Sequence, residues 1–377
     1  MNNQVNIHYL FLNDEITWRF IAGPWQHRLV PDQQIAQDAA MTTANSSCQR
    51  IGVVGGGAWG TALAVAARRA GRDVVMWARE SAVVSAINGE NRNTMFLPDV
   101  ALDPAITATA DYAAVCDVDA LLLVVPAQFL RDVCTELNAH LKPDVPVVIC
   151  AKGIEQGSGA LMSDIVADAL PRATMAALSG PTFAIEVARG QPTAVTLACG
   201  NSEVGETLVG ALGASDFRPY LSNDVVGAEV GGAVKNVLAI ACGVVSGRNL
   251  GENARAALIT RGLAEMMRLG RALGARPETL MGLSGLGDLV LTCSSEQSRN
   301  MSLGSALGRG ERLADILSQR RSVAEGVSSA PAVVALAARL GVDMPIVTAI
   351  NALLQGEASV EEIITGLMAR PFRHETA

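Results

Sequence analysis

The chain has 377 residues, 50% hydrophobic and 18% charged, with a formal net charge of −8. That composition excludes a disordered chain and leaves room for two domains, each with its own core. The acidic balance argues against nucleic acid as a partner, since a phosphate backbone calls for a basic surface, but it allows a small anion held by a local arginine cluster.

Residues 1–48 lack regular periodicity and do not read as a signal peptide, so the expectation is either a poorly ordered extension or a functional start at Met41. A strand is predicted over residues 51–55, ending in glycines. A small-residue helix over 59–69 follows, closed by Gly71, and then a second strand over 73–78. The runs 119–125 and 146–151 are apolar without alternation, which predicts strands covered on both faces, with a helix over 128–140 between them. Further strands are predicted at 174–178, 193–198 and 217–221.

From about residue 225 the pattern turns helical: 230–246, 253–273, 301–308, 330–340, 345–354 and 360–369, punctuated by Gly and Pro. The expected fold class is α/β. A Rossmann-like doubly wound domain covers 49–228 and an all-α substrate domain covers 229–377. No stretch is clean enough to span a bilayer. The nearest, 225–245, contains Glu229, Lys235 and several glycines and reads as a buried helix. Seven cysteines, an odd number with no CxxC pair, suit reduced thiols in a cytoplasmic protein. With four histidines, three of them near the ends, no metal site is expected.

Gly55-Gly-Gly57-Ala58-Trp59-Gly60 fits G-x-G-x-x-G, and it lies between a predicted strand and a predicted helix, as a dinucleotide site requires. Gly55 permits the tight turn, Gly57 admits a pyrophosphate, and Gly60 lets helix and strand pack closely. The helix start adds unpaired N–H groups and partial positive charge. The second strand is followed by Arg79-Glu80. An acidic residue there suits the ribose 2′-hydroxyl of NAD, and an arginine suits the 2′-phosphate of NADP. With Arg79 first, NADP is favoured over NAD; the plain alternative is a solvated surface charge.

Only three lysines occur among the 29 Lys and Arg residues: Lys142, Lys152 and Lys235. Lys142 sits in a polar turn. The other two lie in apolar, glycine-containing text, and unlike arginine a lysine can be tuned to exchange a proton. His140, the one histidine within the body, reads as a surface residue, so the acid/base role falls to the lysines. Lys152 is expected at the carboxyl edge of the sheet, where α/β proteins bind ligands. Lys235 is expected on the first long helix of the second domain. The structural alternative for Lys235 is a packed stem with its head in water. Asp288, after glycine in an apolar stretch, is a candidate buried carboxylate able to orient Lys235. Ser298-Arg299-Asn300 opens a predicted helix and could cradle a phosphate; read structurally, Ser298 caps the helix and Arg299 is solvated.

Together these pieces resemble the bacterial NAD(P)-dependent glycerol-3-phosphate dehydrogenase family. The matching segments include Gly55-Gly-Gly-Ala-Trp-Gly-Thr-Ala-Leu-Ala64, Ala151-Lys-Gly153, Ser179-Gly-Pro-Thr-Phe-Ala184, Gly231-Gly-Ala-Val-Lys-Asn236, Gly251-Glu-Asn253, Gly285-Leu-Gly-Asp-Leu-Val-Leu-Thr-Cys293 and Ser298-Arg-Asn300. The resemblance implies interconversion of sn-glycerol 3-phosphate and dihydroxyacetone phosphate, feeding glycerophospholipid synthesis. It implies Lys235 as proton acceptor, with Lys152, Asp288 and Thr292 completing the catalytic network. Gly180, Thr182, Ser298, Arg299 and Asn300 would hold substrate together with Lys152, Lys235 and Asp288. Ala58, Trp59, Arg79, Phe96, Ala184, Val323 and Glu325 would line NADP or NAD, with Lys152 and Arg299 near both ligands. A homodimer is the family's expectation. The extension before residue 49 and Ser246, where the family carries an acidic residue, depart from the pattern. The competing readings are a 3-hydroxyacid dehydrogenase of the 6-phosphogluconate type and a non-catalytic nucleotide sensor.

Overall fold

The computed structural model describes residues 48–320 and 324–371; the proposed extension, the Met41 start and Val323 lie outside the described residues. The described residues form ten strands: β1 (Arg50–Val54), β2 (Asp73–Trp77), β3 (Arg92–Asn93), β4 (Leu97–Ala101), β5 (Thr107–Thr109), β6 (Ala120–Leu123), β7 (Val147–Ile149), β8 (Met175–Ser179), β9 (Thr193–Cys199) and β10 (Phe217–Ser222). Eight of them form one sheet in the order β10-β9-β8-β7-β6-β1-β2-β5, and β3 and β4 pair separately as an antiparallel ribbon.

The apolar runs divide between the two faces of the sheet, as a period of two requires. Ile51 and Val53 enter the core on one side with the helix α1 (Ala58–Arg69), while Val54 faces the other side with Leu121 and Leu123. The six strands β1, β2 and β5–β8 are mutually parallel. Chain reversal comes at β9, which is antiparallel to β8 and parallel to β10. Register then fixes the site. Trp77, Val54, Leu123, Ile149 and Ala177 lie in one row across five parallel strands. The segments just beyond that row therefore emerge on one edge: Arg79, Gly55–Gly60, Val125–Ala127, Lys152 and Gly180. Strand order reverses at β1, which has β2 on one side and β6 on the other, and ligands bind at such a switch point.

After β10 all described elements are helical. The helix α2 (Val225–Gly247) is buried from Gly227 to Val245 and forms the axis of the second core. It is long and apolar enough to cross a membrane by length alone, yet 89% of its most apolar window is buried by the rest of the fold. Around it pack α3 (Glu252–Ala272), α4 (Asp288–Ser294), α5 (Arg299–Gly308) and α6 (Glu325–Arg339).

Contact between α2 and α5 is backbone to backbone. A Cβ on Gly243 would lie 2.1 Å from the Met301 carbonyl oxygen, and one on Gly247 2.1 Å from that of Ser305. From the other side, a Cβ on Gly304 would lie 2.0 Å from the Ile240 carbonyl oxygen, and one on Gly308 2.6 Å from that of Val244. Four glycines, four apart on each helix, let the two backbones touch. All seven cysteines are buried thiols.

Some predicted boundaries shift. The strands expected over 119–125 and 146–151 keep only their middles as ladder, because their last residues turn outward to build the site. The helix expected from residue 330 begins at Glu325 and accommodates Pro331.

Candidate active site

The glycine loop has the geometry its sequence implies. Gly55 adopts φ +133°, and a side chain there would meet the Val124 carbonyl 2.7 Å away. A Cβ on Gly60 would sit 1.9 Å from the Gly55 oxygen, so helix and strand close onto each other only without it. Gly57, at the N-cap of α1, is the opposite case: its Cβ would meet nothing within 4 Å, and no side chain caps the helix. The helix start thus faces open space with its N–H groups available. Beside it the Trp59 indole N–H is buried and has no protein acceptor. Free helix-start amides and an unsatisfied donor fit a dinucleotide pyrophosphate. Gly56 abuts Ala78, which places Arg79 next to this loop. Arg79 is 74% exposed and pairs with Glu80 at 2.9 Å.

The lysines meet around one carboxylate. Lys152 Nζ donates to Asp288 Oδ2 at 2.7 Å and to the Gly180 carbonyl at 3.1 Å. Lys235 Nζ donates to Asp288 Oδ1 at 2.7 Å and to Thr292 Oγ1 at 3.1 Å. Thr292 in turn donates to the Asp288 carbonyl at 2.6 Å, one helical turn back.

Each member is delivered by a different element. Lys152 follows β7, and Lys235 rides on α2. Gly232, one turn before Lys235, lets α2 approach the sheet edge: a Cβ there would sit 3.3 Å from both Lys152 Cγ and Ser179 Oγ. Asp288 begins α4 directly after a π-helical turn (Leu283–Gly287), closed by Gly287 N–H donating to the Gly282 carbonyl at 3.0 Å. Such turns interrupt regular pitch and recur at functional sites.

Burial and charge set the protonation. Burial pushes the Lys235 ammonium down and Lys152 adds to the push, while Asp288 resists; the result is about 8. Burial pushes Asp288 up, but the two ammoniums outweigh it and hold the carboxyl below its ordinary value. With both lysines protonated, two cations share one anion and the site keeps an excess positive charge. A lysine near 8 exchanges its proton close to neutral pH, as acid/base chemistry needs.

Other predicted residues fall around this centre. Gly180 has φ +152°, and its carbonyl accepts from both Lys152 and Thr182 Oγ1. Ser298 caps α5 by accepting from Met301 N–H at 3.2 Å. Its neighbour Arg299 is exposed, and its charge acts on Glu325, whose carboxyl burial pushes up while Arg299, Lys235 and Lys152 pull it down. Asn300 is buried, donating to Asn236 Oδ1 at 2.9 Å and accepting from Gly326 N–H at 2.9 Å. Ala184 opens a short helix, and it and Phe96 pack on the core beside α1. Lys142 is at the surface, paired with Asp117 at 2.6 Å, and His140 is exposed.

Two site residues carried no recognised signal. Asn236, adjacent to Lys235, links Asn300 to Glu325. Ser179 presents a buried hydroxyl without a protein partner beside Lys152. Both stand inside motif segments, and that adjacency was the available clue.

The chain as a whole has counterparts among known proteins. The family model described as the NAD-dependent glycerol-3-phosphate dehydrogenase N-terminus matches residues 50–205, and that of the C-terminus matches 224–365. A glycerol-3-phosphate dehydrogenase [NAD(P)+] of Rhodospirillum rubrum is 61% identical over 332 residues, 88% of this chain and 95% of that one. The enzyme of the same name from Maricaulis maris is 58% identical, over 88% of this chain and all of its own length. The crystal structure of glycerol-3-phosphate dehydrogenase from Coxiella burnetii superposes with a TM-score of 0.83 at 38% identity, covering 86% of this chain and 99% of that one. The chain belongs to the NAD-dependent glycerol-3-phosphate dehydrogenase family.

Proposed function

We propose that this chain interconverts sn-glycerol 3-phosphate and dihydroxyacetone phosphate, with Lys235 as the proton carrier. The observation that carries the reading is the Lys152–Asp288–Lys235 cluster, at the sheet edge that also holds the glycine loop. When bound, NAD(P) would supply the hydride chemistry at C2, as acceptor in oxidation and donor in reduction. Lys235 Nζ takes the C2 hydroxyl proton in oxidation and returns it in reduction. Asp288 aims Lys235, and Thr292 limits its swing. Lys152 polarises the C2 oxygen as it becomes a carbonyl. Arg299 anchors the phosphate away from the reacting carbon, so binding energy at a remote group is used for orientation. Helix-start amides after Gly57, with Trp59, Phe96, Ala184 and Glu325, hold the dinucleotide.

Arg79 supports a preference for NADPH, since its guanidinium reaches solvent beside the loop. Seven buried free thiols support a cytoplasmic enzyme, and family membership supports a role in supplying glycerophospholipid synthesis. Family membership extends the reading to a homodimer, which sedimentation would test. The deciding assay is oxidation of NADPH, and separately NADH, by purified protein with dihydroxyacetone phosphate. Absence of turnover with either nucleotide sinks the proposal and returns the nucleotide-sensor reading.

A further inference from the structure

Asn93 is fully buried on the two-residue strand β3, beside the glycine loop and outside it in sequence. Its carboxamide makes three hydrogen bonds. Nδ2 donates to the Gly56 carbonyl at 2.7 Å and to Thr61 Oγ1 at 2.8 Å. Oδ1 accepts from Phe96 N–H at 3.1 Å. Thr61 Oγ1 passes its own proton on to the Gly57 carbonyl at 2.9 Å, and Thr61 N–H bonds the same oxygen at 3.0 Å.

The loop's two inner carbonyls are therefore both tied from behind. In a planar trans peptide the C=O and the following N–H point in opposite directions. Drawing the Gly56 oxygen inward turns the Gly57 N–H outward, and drawing the Gly57 oxygen inward does the same for Ala58. The outward side is the open space in front of Gly57.

We propose that Asn93 is a positioning residue for the dinucleotide: it aims the Gly57 and Ala58 amides at the pyrophosphate and, through Phe96 N–H, fixes the neighbouring wall of the same site. The inference rests on the glycine loop being the dinucleotide seat. Asn93 needs no contact with the ligand to act. Its effect falls on both nucleotides alike, because the pyrophosphate is common to NADPH and NADH.

The test is isothermal titration calorimetry of the nucleotide-free protein. Asn93→Ala is expected to raise Kd for NADPH and for NADH about tenfold, the scale of one lost well-placed hydrogen bond. The Michaelis constant for dihydroxyacetone phosphate, at saturating NADPH, is expected to stay within twofold. Asn88→Ala is the matched control. Asn88 also bridges backbone, accepting from Ala108 N–H and donating to the Ala108 carbonyl, but it does not touch the loop, so its loss should leave both Kd values unchanged.

Equal weakening by Asn93→Ala and Asn88→Ala, or no weakening by Asn93→Ala, overturns the inference. Gly57→Val separates the two levels. If it weakens nucleotide binding and Asn93→Ala does not, only the role of Asn93 fails. If neither weakens binding, the reading of the loop fails with it. Should Asn93→Ala not yield folded protein, Asn93→Ser is read by the same criteria.

Discussion

Lys235 and Asp288 stand 53 positions apart in the chain, yet their charged atoms meet at 2.7 Å in a buried site. The pair holds a movable proton on a fixed stem. Replacing Lys235 with alanine should lower kcat by about 10²–10⁴, the usual contribution of a placed acid/base. The Michaelis constant for dihydroxyacetone phosphate should change only a few-fold. Lys235→Arg should not restore turnover, since arginine keeps its proton. Steady-state kinetics checks both, and unchanged turnover in Lys235→Ala would remove it from the mechanism.

The pH profile follows from the same proton. Oxidation of glycerol 3-phosphate needs Lys235 neutral, so its rate should rise with pH through about 8. Reduction of dihydroxyacetone phosphate needs the ammonium and should fall over the same range. Asp288 opposes the downward push on Lys235, so Asp288→Asn should move both limbs to lower pH and cost about 10²-fold in kcat through lost aim. Limbs that stay in place after Asp288→Asn would assign the titration to another group.

Arg299 should behave differently from the lysines. The proposed anchoring of the phosphate by Arg299 would be a charge-assisted hydrogen bond, so Arg299→Ala should raise the Michaelis constant for dihydroxyacetone phosphate by about 10–100-fold. Turnover at saturation should fall much less. Titration of inorganic phosphate as a competitive inhibitor supplies an independent check, and equal inhibition of both proteins would contradict the assignment.

Two buried glutamates away from the reaction bear on stability. Glu229 accepts from Ser163 N–H and Oγ, and Glu265 from the N–H groups of Ile346 and Val347. Burial pushes each carboxyl up to about 7, opposed by the hydrogen bonds just named and at Glu265 also by Arg268, and helped by Asp164 near Glu229 and by Asp343 near Glu265. The folded chain then binds these protons more tightly than the unfolded chain. Their contribution is complete below the ordinary value of 4.5 and is lost as pH rises through 7. Tm should therefore fall by several degrees between pH 5 and pH 8, and Glu229→Gln with Glu265→Gln should flatten that slope. An identical slope in the double variant would place the effect elsewhere.

Much of this was legible in the residues. The run 51–55, the glycines after it and two lysines stranded in apolar text carried the sheet edge and the chemistry, because each breaks the local composition for a physical reason. Asp288 was readable as a buried carboxylate, but its setting was not. The block 285–293 reads as merely apolar, while the chain there makes a π turn, packed closely against Gly231, and then a helix. The reversal at β9 was equally silent, since a strand covered on both faces carries the same pattern in either direction. Asn93 lacked a signal because the two partners that tie it to the glycine loop, Gly56 and Thr61, come from tertiary placement. Ser298 had two readings, and its oxygen serves as the cap; Arg299 beside it remains exposed to the solvent side.

The four glycines between α2 and α5 have an evolutionary consequence. Lys235 rides on one helix and Ser298–Asn300 leads into the other, so the span between the backbones that carry these residues is set by direct contact. Selection cannot lengthen that span by small steps, because the first methyl group added at Gly243 or Gly304 already collides. A descendant that moved Lys235 away from Ser298–Asn300 would have to re-register a whole helix, which leaves their spacing the trait slowest to drift.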